Sequence, residues 1–384
     1  MELHPFTIDI PQKALDDLHK RIMQTRWPDE IDGADWDYGT NLDYLKELAD
    51  YWQNQFDWRK QEAMLNRFHQ FNTTVDGFRI HFIHERGKGQ KPLPIILTHG
   101  WPDSFFRMYK LIPLLTDPAN YGGNLDDAFD VVVPSIPGYG FSDRPHEKGM
   151  NSQRIASLFT HLMTETLTYP KFGAHGGDWG SSITEMLAFD HPESMIGIHL
   201  TDVPYHHLFT IKSDDLKPEE QAYLKAGQGW QMSEGAYAMI QSTKPQTLAY
   251  GLNDSPIGLL AWILEKFRTW SDSDGNVEQK FTKDELLTNV TIYWVTQTIN
   301  SANRLYYESQ HTPSKTTTER TEVPTGVALF PKDLIPAPRA FVDRFYNVQH
   351  WTEMPRGGHF AALEEPELLA EDIRAFFRPL RDFA

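Results

Sequence analysis

Residues 169–192 read "YPKFGAHGGDWGSSITEMLAFDHP", and the reading of this stretch decides the fold. A short strand leads into Gly176-Gly177-Asp178-Trp179-Gly180, and a helix begins near Trp179. The frame Gly-x-nucleophile-x-Gly between strand and helix lifts the central side chain to the carboxyl edge of a sheet. A serine ordinarily occupies that place; here it is Asp178. The open N-terminus of the following helix favours a negative charge, so the carboxylate is suited to act as a nucleophile. Gly176, Gly177 and Gly180 allow the tight backbone that such an elbow requires. Taken alone, Asp178 also reads as an ordinary helix N-cap.

On either side of the elbow run short, almost wholly apolar segments: "LPIILTHG", "FDVVVPSIPG", "MIGIHLTDV" and "VALFPKD", separated by helix-length stretches. Such runs mark parallel strands covered on both faces. Ahead of them, residues 1 to about 70 carry three aromatic-rich helical patterns, and "FNTTVDGFRIHFIHERG" reads as a hairpin turning at Asp76-Gly77. Strand runs vanish between residues 206 and 320, replaced by helical patterns, which predicts a helical lid inserted into the sheet. The expected organisation is therefore a meander and hairpin over 1–90, a first core part over 91–205, a lid over 206–320 and a second core part over 321–384. The expected fold class is α/β, with a mostly parallel eight-stranded sheet, a helical lid and an N-terminal helical meander.

Composition narrows the partners. The 384 residues carry 36 Lys and Arg against 53 Asp and Glu, a formal charge of −17 that repels phosphate backbones and anionic membranes. No nucleic-acid partner is expected. No stretch approaches the ~20 apolar residues of a membrane span, and the N-terminus is too polar for a signal peptide, so the expectation is a cytoplasmic protein without a membrane anchor. There are no cysteines, which excludes thiolate chemistry. His81 and His84 in "HFIH" sit on opposite faces of a strand, and no metal is expected. The Gly-x-Gly of "PGYGFSD" (Gly138, Gly140) lacks the third glycine of a dinucleotide fingerprint and any phosphate-loop lysine; no cofactor is expected.

An elbow of this kind is followed along the chain by an acid and then a histidine. "LFPKD" supplies Asp333 just after an apolar strand, and "RGGHF" supplies His359, leaving room between them for one helix and one strand. Alone, Asp333 also reads as a solvated turn residue and His359 as a loop histidine. The sharp loop "THGWPDS" points to the Trp101 amide as one oxyanion-hole donor, with the Trp179 amide as the other.

Taken together, "HGWP", "GGDWG", "FPKD" and "RGGHF" resemble the epoxide hydrolases of the α/β-hydrolase fold. The segment "PFTIDIPQKALDDLHKRIMQTRWPDE" resembles the N-terminal meander of their microsomal-type branch, so the likeness spans nearly the whole chain. The resemblance implies conversion of a small lipophilic epoxide and water to a diol through an ester on Asp178. Water activated by His359, supported by Asp333, would then hydrolyse that ester. It also implies two lid tyrosines that hold and protonate the epoxide oxygen, Tyr237 and Tyr306 by similarity; Tyr307 lies about 100° from Tyr306 around a helix. A homodimer is left open. Two alternatives stand beside this reading: a haloalkane dehalogenase holding its halide with indole N–H groups such as those of Trp101 and Trp179, and a catalytically silent binder of an apolar ligand.

Overall fold

In the computed structural model, residues 2–209, 216–312 and 320–383 are described. The apolar runs form the middle of one sheet: β4 (Leu93–Thr98), β5 (Phe129–Pro134), β6 (Phe172–Gly176) and β7 (Met195–Leu200) are buried at every position. A strand that is apolar on both faces needs cover on both, and α/β winding supplies it. With β1 (His4–Phe6), β2 (Gln70–Val75), β3 (Phe78–Glu85), β8 (Pro324–Leu329) and β9 (Asn347–Glu353), the sheet order is β1-β2-β3-β5-β4-β6-β7-β8-β9. Pairing is antiparallel from β1 to β5 and parallel from β5 to β9. Among the described residues the sheet thus has nine strands where eight were expected. The extra one, β1, pairs only His4–Phe6 with β2 and is too short for its alternation to be visible.

The hairpin between β2 and β3 turns at Asp76 and Gly77, both with positive φ (48° and 85°), as a two-residue turn matched to the strand twist demands. Three helices precede it, α1 (Gln12–Met23), α2 (Leu42–Asn54) and α3 (Trp58–Leu65). The helices α4 (Leu111–Thr116), α5 (Ser152–His161) and α6 (Trp179–Asp190) lie between the central strands. Between β7 and β8 come α7 (Pro218–Ser233), α8 (Ala236–Thr243), α9 (Pro245–Leu252), α10 (Pro256–Thr269), α11 (Lys283–Thr296) and α12 (Ile299–His311). Residues 210–215 and 313–319, within the stretch expected as a lid, lie outside the described residues. After β8 come α13 (Arg339–Val342), α14 (Ala361–Glu364) and α15 (Pro366–Phe377).

The N-terminal helices brace the helical insertion. Trp52, fully buried on α2, donates its indole N–H to Thr291 on α11 at 3.2 Å, and Tyr51 reaches Asp284 at 3.0 Å. Arg21 on α1 binds Asp254 at 2.8 Å. Burying a side chain of this kind contributes about 2–3 kcal/mol, so α2 is held to the insertion mainly by apolar packing. No helix among the described residues is long and apolar enough to cross a membrane.

Candidate active site

Asp178 stands between β6 and α6 with φ 59° and ψ −126°, a conformation that costs a non-glycine residue about 1–3 kcal/mol. Its side chain makes no capping bond to the helix, so the N-cap reading does not describe what the carboxylate does. Oδ1 instead accepts the Trp101 N–H at 2.8 Å. The backbone makes room for this approach. A Cβ on Gly100 would fall 2.4 Å from both Cβ and Oδ1 of Asp178, and one on Gly180 would fall 2.1 Å from the Thr98 carbonyl oxygen.

His359 lies in the loop between β9 and α14, and Asp333 just past β8. The imidazole Nε2 is 3.4 Å from Oδ2 of Asp178, and Nδ1 is 2.7 Å from Oδ1 of Asp333. Asp333 is fixed in turn by the Leu334 N–H at 2.6 Å. Burial by itself would hold the imidazole neutral, but the charge of Asp333 and the hydrogen bonds to both carboxylates outweigh it and raise its pKa to about 10. The fold therefore brings Asp178, His359 and Asp333 into one hydrogen-bonded and ionic chain.

Tyr237 on α8 and Tyr306 on α12 are both buried above the elbow. Tyr237 stacks on Trp101 (centroids 4.9 Å, 8° between planes), and Tyr306 meets Trp179 edge-on at 4.8 Å. Burial, the charge of Asp178 and, for Tyr306, the neighbouring phenol raise both above the ordinary tyrosine value, so both are protonated at neutral pH. The two rings meet edge-on, with centroids 5.9 Å apart. Tyr307 turns elsewhere and stacks on His311 at 4.0 Å. The Trp179 amide stands at the first position of α6, where N–H groups have no partner within the helix. The indole N–H groups of Trp101, Trp179 and Trp270 are buried without a hydrogen-bond partner among the described residues.

Three groups near the site escaped the sequence reading. Arg107 forms a fully buried pair with Asp103 at 2.6 Å and donates to the carbonyl of His359 at 2.5 Å. Asp103 also accepts the Gly100 N–H at 2.8 Å, so one ion pair ties the HGWP loop to the histidine loop. Glu364 accepts the N–H groups of Gly358 and Phe360, on either side of His359, and that of Asp272. Burial pushes its carboxyl up to about 7 despite these bonds. Asp202, two residues past β7, accepts the Asp178 N–H at 2.8 Å. A carboxylate at the carboxyl edge of the strand beside the elbow strand was the available signal for Asp202; Glu364, which acts on backbone amides, left none.

The loop of Gly138 and Gly140 packs against α12: Ser301 donates to the Gly138 carbonyl at 2.5 Å, and the Tyr139 hydroxyl donates to the Ala302 carbonyl at 3.3 Å. Away from the elbow, Glu185, His206 and His207 offer donor atoms within 4.8 Å of one another, a set that sequence spacing did not disclose. Glu185 there already accepts hydrogen bonds from His207 and the Tyr346 hydroxyl.

Residues 3–108 match the family model described as epoxide hydrolase N terminus, and residues 94–232 match that of the alpha/beta hydrolase fold. The chain is 40% identical over 406 residues to epoxide hydrolase 1 of Sus scrofa, covering 97% of this chain and 88% of that protein. The crystal structure of juvenile hormone epoxide hydrolase from the silkworm Bombyx mori superposes with a TM-score of 0.86 at 31% identity, covering 99% of this chain and 94% of that one. The structure of Aspergillus niger epoxide hydrolase gives the same TM-score and identity, covering 99% and 97%.

Proposed function

This chain belongs to the epoxide hydrolase family, and from that premise we propose that it opens its epoxide in two steps through an ester on Asp178. An epoxide carbon is saturated, so the attacking group must displace the ring oxygen in line, and the departing alkoxide needs a proton. Tyr237 and Tyr306 hold the ring oxygen, and one phenol gives it a proton as the C–O bond breaks. Of the two Asp178 oxygens, Oδ1 is engaged by the Trp101 amide and Oδ2 faces His359, which supports Oδ2 as the attacking atom in this scheme.

The second step draws on the same contacts. Once Asp178 is an ester, its negative charge no longer helps to hold the imidazolium proton, and His359 can release it with the phenolate as acceptor. Neutral His359, oriented by Asp333, then takes a proton from water, and the hydroxide adds to the Asp178 carbonyl carbon. The charge that develops there falls on Oδ1, beside the Trp101 N–H, with the Trp179 N–H as second donor. Collapse frees the diol and restores the carboxylate. A serine attacker would give an ether, with no carbonyl for water to attack.

The helices between β7 and β8 act as a lid in this scheme, because α8 and α12 carry the two phenols. Apolar rings from Trp101, Trp179, Trp230 and Trp270 around those phenols suit a small lipophilic epoxide. The unpartnered indole N–H groups of Trp101 and Trp179 are the one feature that also suits a departing halide; chloride release from haloalkanes without diol from epoxides would favour that chemistry.

The observation that carries the proposal is His359 set between two carboxylates, Nε2 toward Asp178 and Nδ1 toward Asp333. Its test is a single turnover of a styrene-oxide-like probe in oxygen-18 water. The label should enter Asp178 and be missing from the first diol; label in that diol with none in Asp178 would mean that water attacks the epoxide directly.

A further inference from the structure

Asp202 follows β7, the strand paired with β6 on the far side of the elbow from β4. Its Oδ1 accepts the backbone N–H of Asp178 at 2.8 Å, and its Oδ2 accepts the Ser181 hydroxyl at 3.1 Å. The single Ser181 hydroxyl hydrogen is shared between that oxygen and the Asp178 carbonyl, 2.7 Å away. One carboxyl thus grips the elbow at its amide and the first turn of α6 at the hydroxyl. Nothing else fits in the gap, since a Cβ on Gly177 would lie 2.4 Å from Thr201 Oγ1, 3.0 Å from Arg107 and 3.4 Å from Asp202 Oδ1.

The location is costly for a carboxylate. Burial, then the charges of Asp333 and Asp178, raise the Asp202 carboxyl to about 7, while His359 pulls the other way. Arg107, Tyr205, Tyr223 and Tyr346 also feel its charge. A group merely filling space would be better served by an apolar side chain, which would leave the Asp178 N–H without its acceptor.

Resting on the nucleophile assignment above, we propose that Asp202 is a positioning residue for Asp178: by accepting its amide, it holds the elbow in the left-handed conformation that aims the attacking carboxylate. The hydrogen bond, rather than the charge, performs this task. The effect belongs to the alkylation step, since the carboxylate must be aimed before it attacks.

The test is rapid-quench alkylation of Asp178 by a styrene-oxide-like probe, followed as a substrate-sized mass increase on the Asp178 peptide. Asp202→Ala should slow alkylation about tenfold to a hundredfold, the scale of one lost buried hydrogen bond. Asp202→Asn keeps a carbonyl for the amide and should return the rate to within about fivefold of wild type. Should the Ala protein fail to fold, Asp202→Glu replaces it: the extra methylene moves the carboxylate while keeping the charge, and the same slowing is expected. Alkylation at the wild-type rate in Asp202→Ala or Asp202→Glu, or a folded Asp202→Asn as slow as either, would overturn the proposal. Wild type that forms diol with no label on Asp178 would instead count against the nucleophile assignment itself.

Discussion

The Nε2 atom of His359 lies 3.4 Å from Oδ2 of Asp178, so the proposed base touches the proposed nucleophile before any reaction. The charge of Asp333 is the largest cause that keeps the imidazole protonated, and the ionised Asp178 adds to it. His359→Gln keeps the bulk but cannot take a proton from water. It should form the ester and stall, with ester hydrolysis slowed by about 10²- to 10⁴-fold. Intact-protein mass spectrometry after incubation with the epoxide should find the substrate mass retained on the Asp178 peptide. An unmodified protein would count against the two-step order.

The two carboxylates beside His359 set a pH dependence of stability. The His359 pKa in the folded protein, about 10, lies above its ordinary value of 6.5. Folding therefore favours the protonated form: the stabilisation is complete below about pH 6.5 and is lost as pH rises through about 10. Urea midpoints measured from pH 6 to pH 10 should fall more steeply in wild type than in His359→Gln. Asp333→Asn removes the largest charge that holds the proton and should shift the wild-type loss to lower pH. Parallel curves for all three proteins would show that the imidazole is not held charged.

Much of this site was legible because it is built from backbone necessity. The glycines at 176, 177 and 180 leave a mark in the sequence since the elbow admits no side chain there, and apolar runs such as "FDVVVP" announce strands buried on both faces. Asp333 and His359 could be picked out by their order after the elbow. Tyr237 and Tyr306 could not be chosen among 15 tyrosines without a resemblance, because a phenol on an amphipathic helix looks the same whether it faces core or substrate. Asp202 left one unused signal, its place at the carboxyl edge of the strand beside the elbow strand; Asp103, Arg107 and Glu364 were illegible for a different reason. These three act on backbone amides or carbonyls, and such bonds impose no periodicity. The edge strand β1 was too short to alternate visibly.

The buried phenols Tyr237 and Tyr306 lie side by side, with ring centroids 5.9 Å apart. Burial and the charge of Asp178 keep both protonated, so either can give a proton to an opening ring. Tyr237→Phe and Tyr306→Phe should each slow alkylation by about tenfold to a hundredfold, with the double variant losing about 10²- to 10⁴-fold. Ester hydrolysis, measured in the decay after a burst, should change little in either single variant. Equal effects on both steps would mean that the phenols only bind.

Gly100 offers a test that alters no ionisable group. A Cβ there would fall 2.4 Å from both Cβ and Oδ1 of Asp178, within the contact that seats the Trp101 N–H on that oxygen. The same segment is crowded at Gly180, where a Cβ would fall 2.1 Å from the Thr98 carbonyl oxygen. Gly100→Ala should therefore displace the Trp101 amide and lower kcat by at least about a hundredfold, the scale of one lost oxyanion donor. The accompanying cost in stability should be about 1–3 kcal/mol, as for other overpacked sites. Gly229, exposed on α7, is the matching control: a Cβ there meets nothing within 4 Å. Gly229→Ala should add about 0.5–1 kcal/mol of stability by helix propensity and leave turnover unchanged. Steady-state kinetics and urea denaturation of the two proteins separate the close approach at Asp178 from any general intolerance of alanine; a Gly100→Ala enzyme with wild-type kcat would mean that the HGWP loop does not need its present distance from the nucleophile.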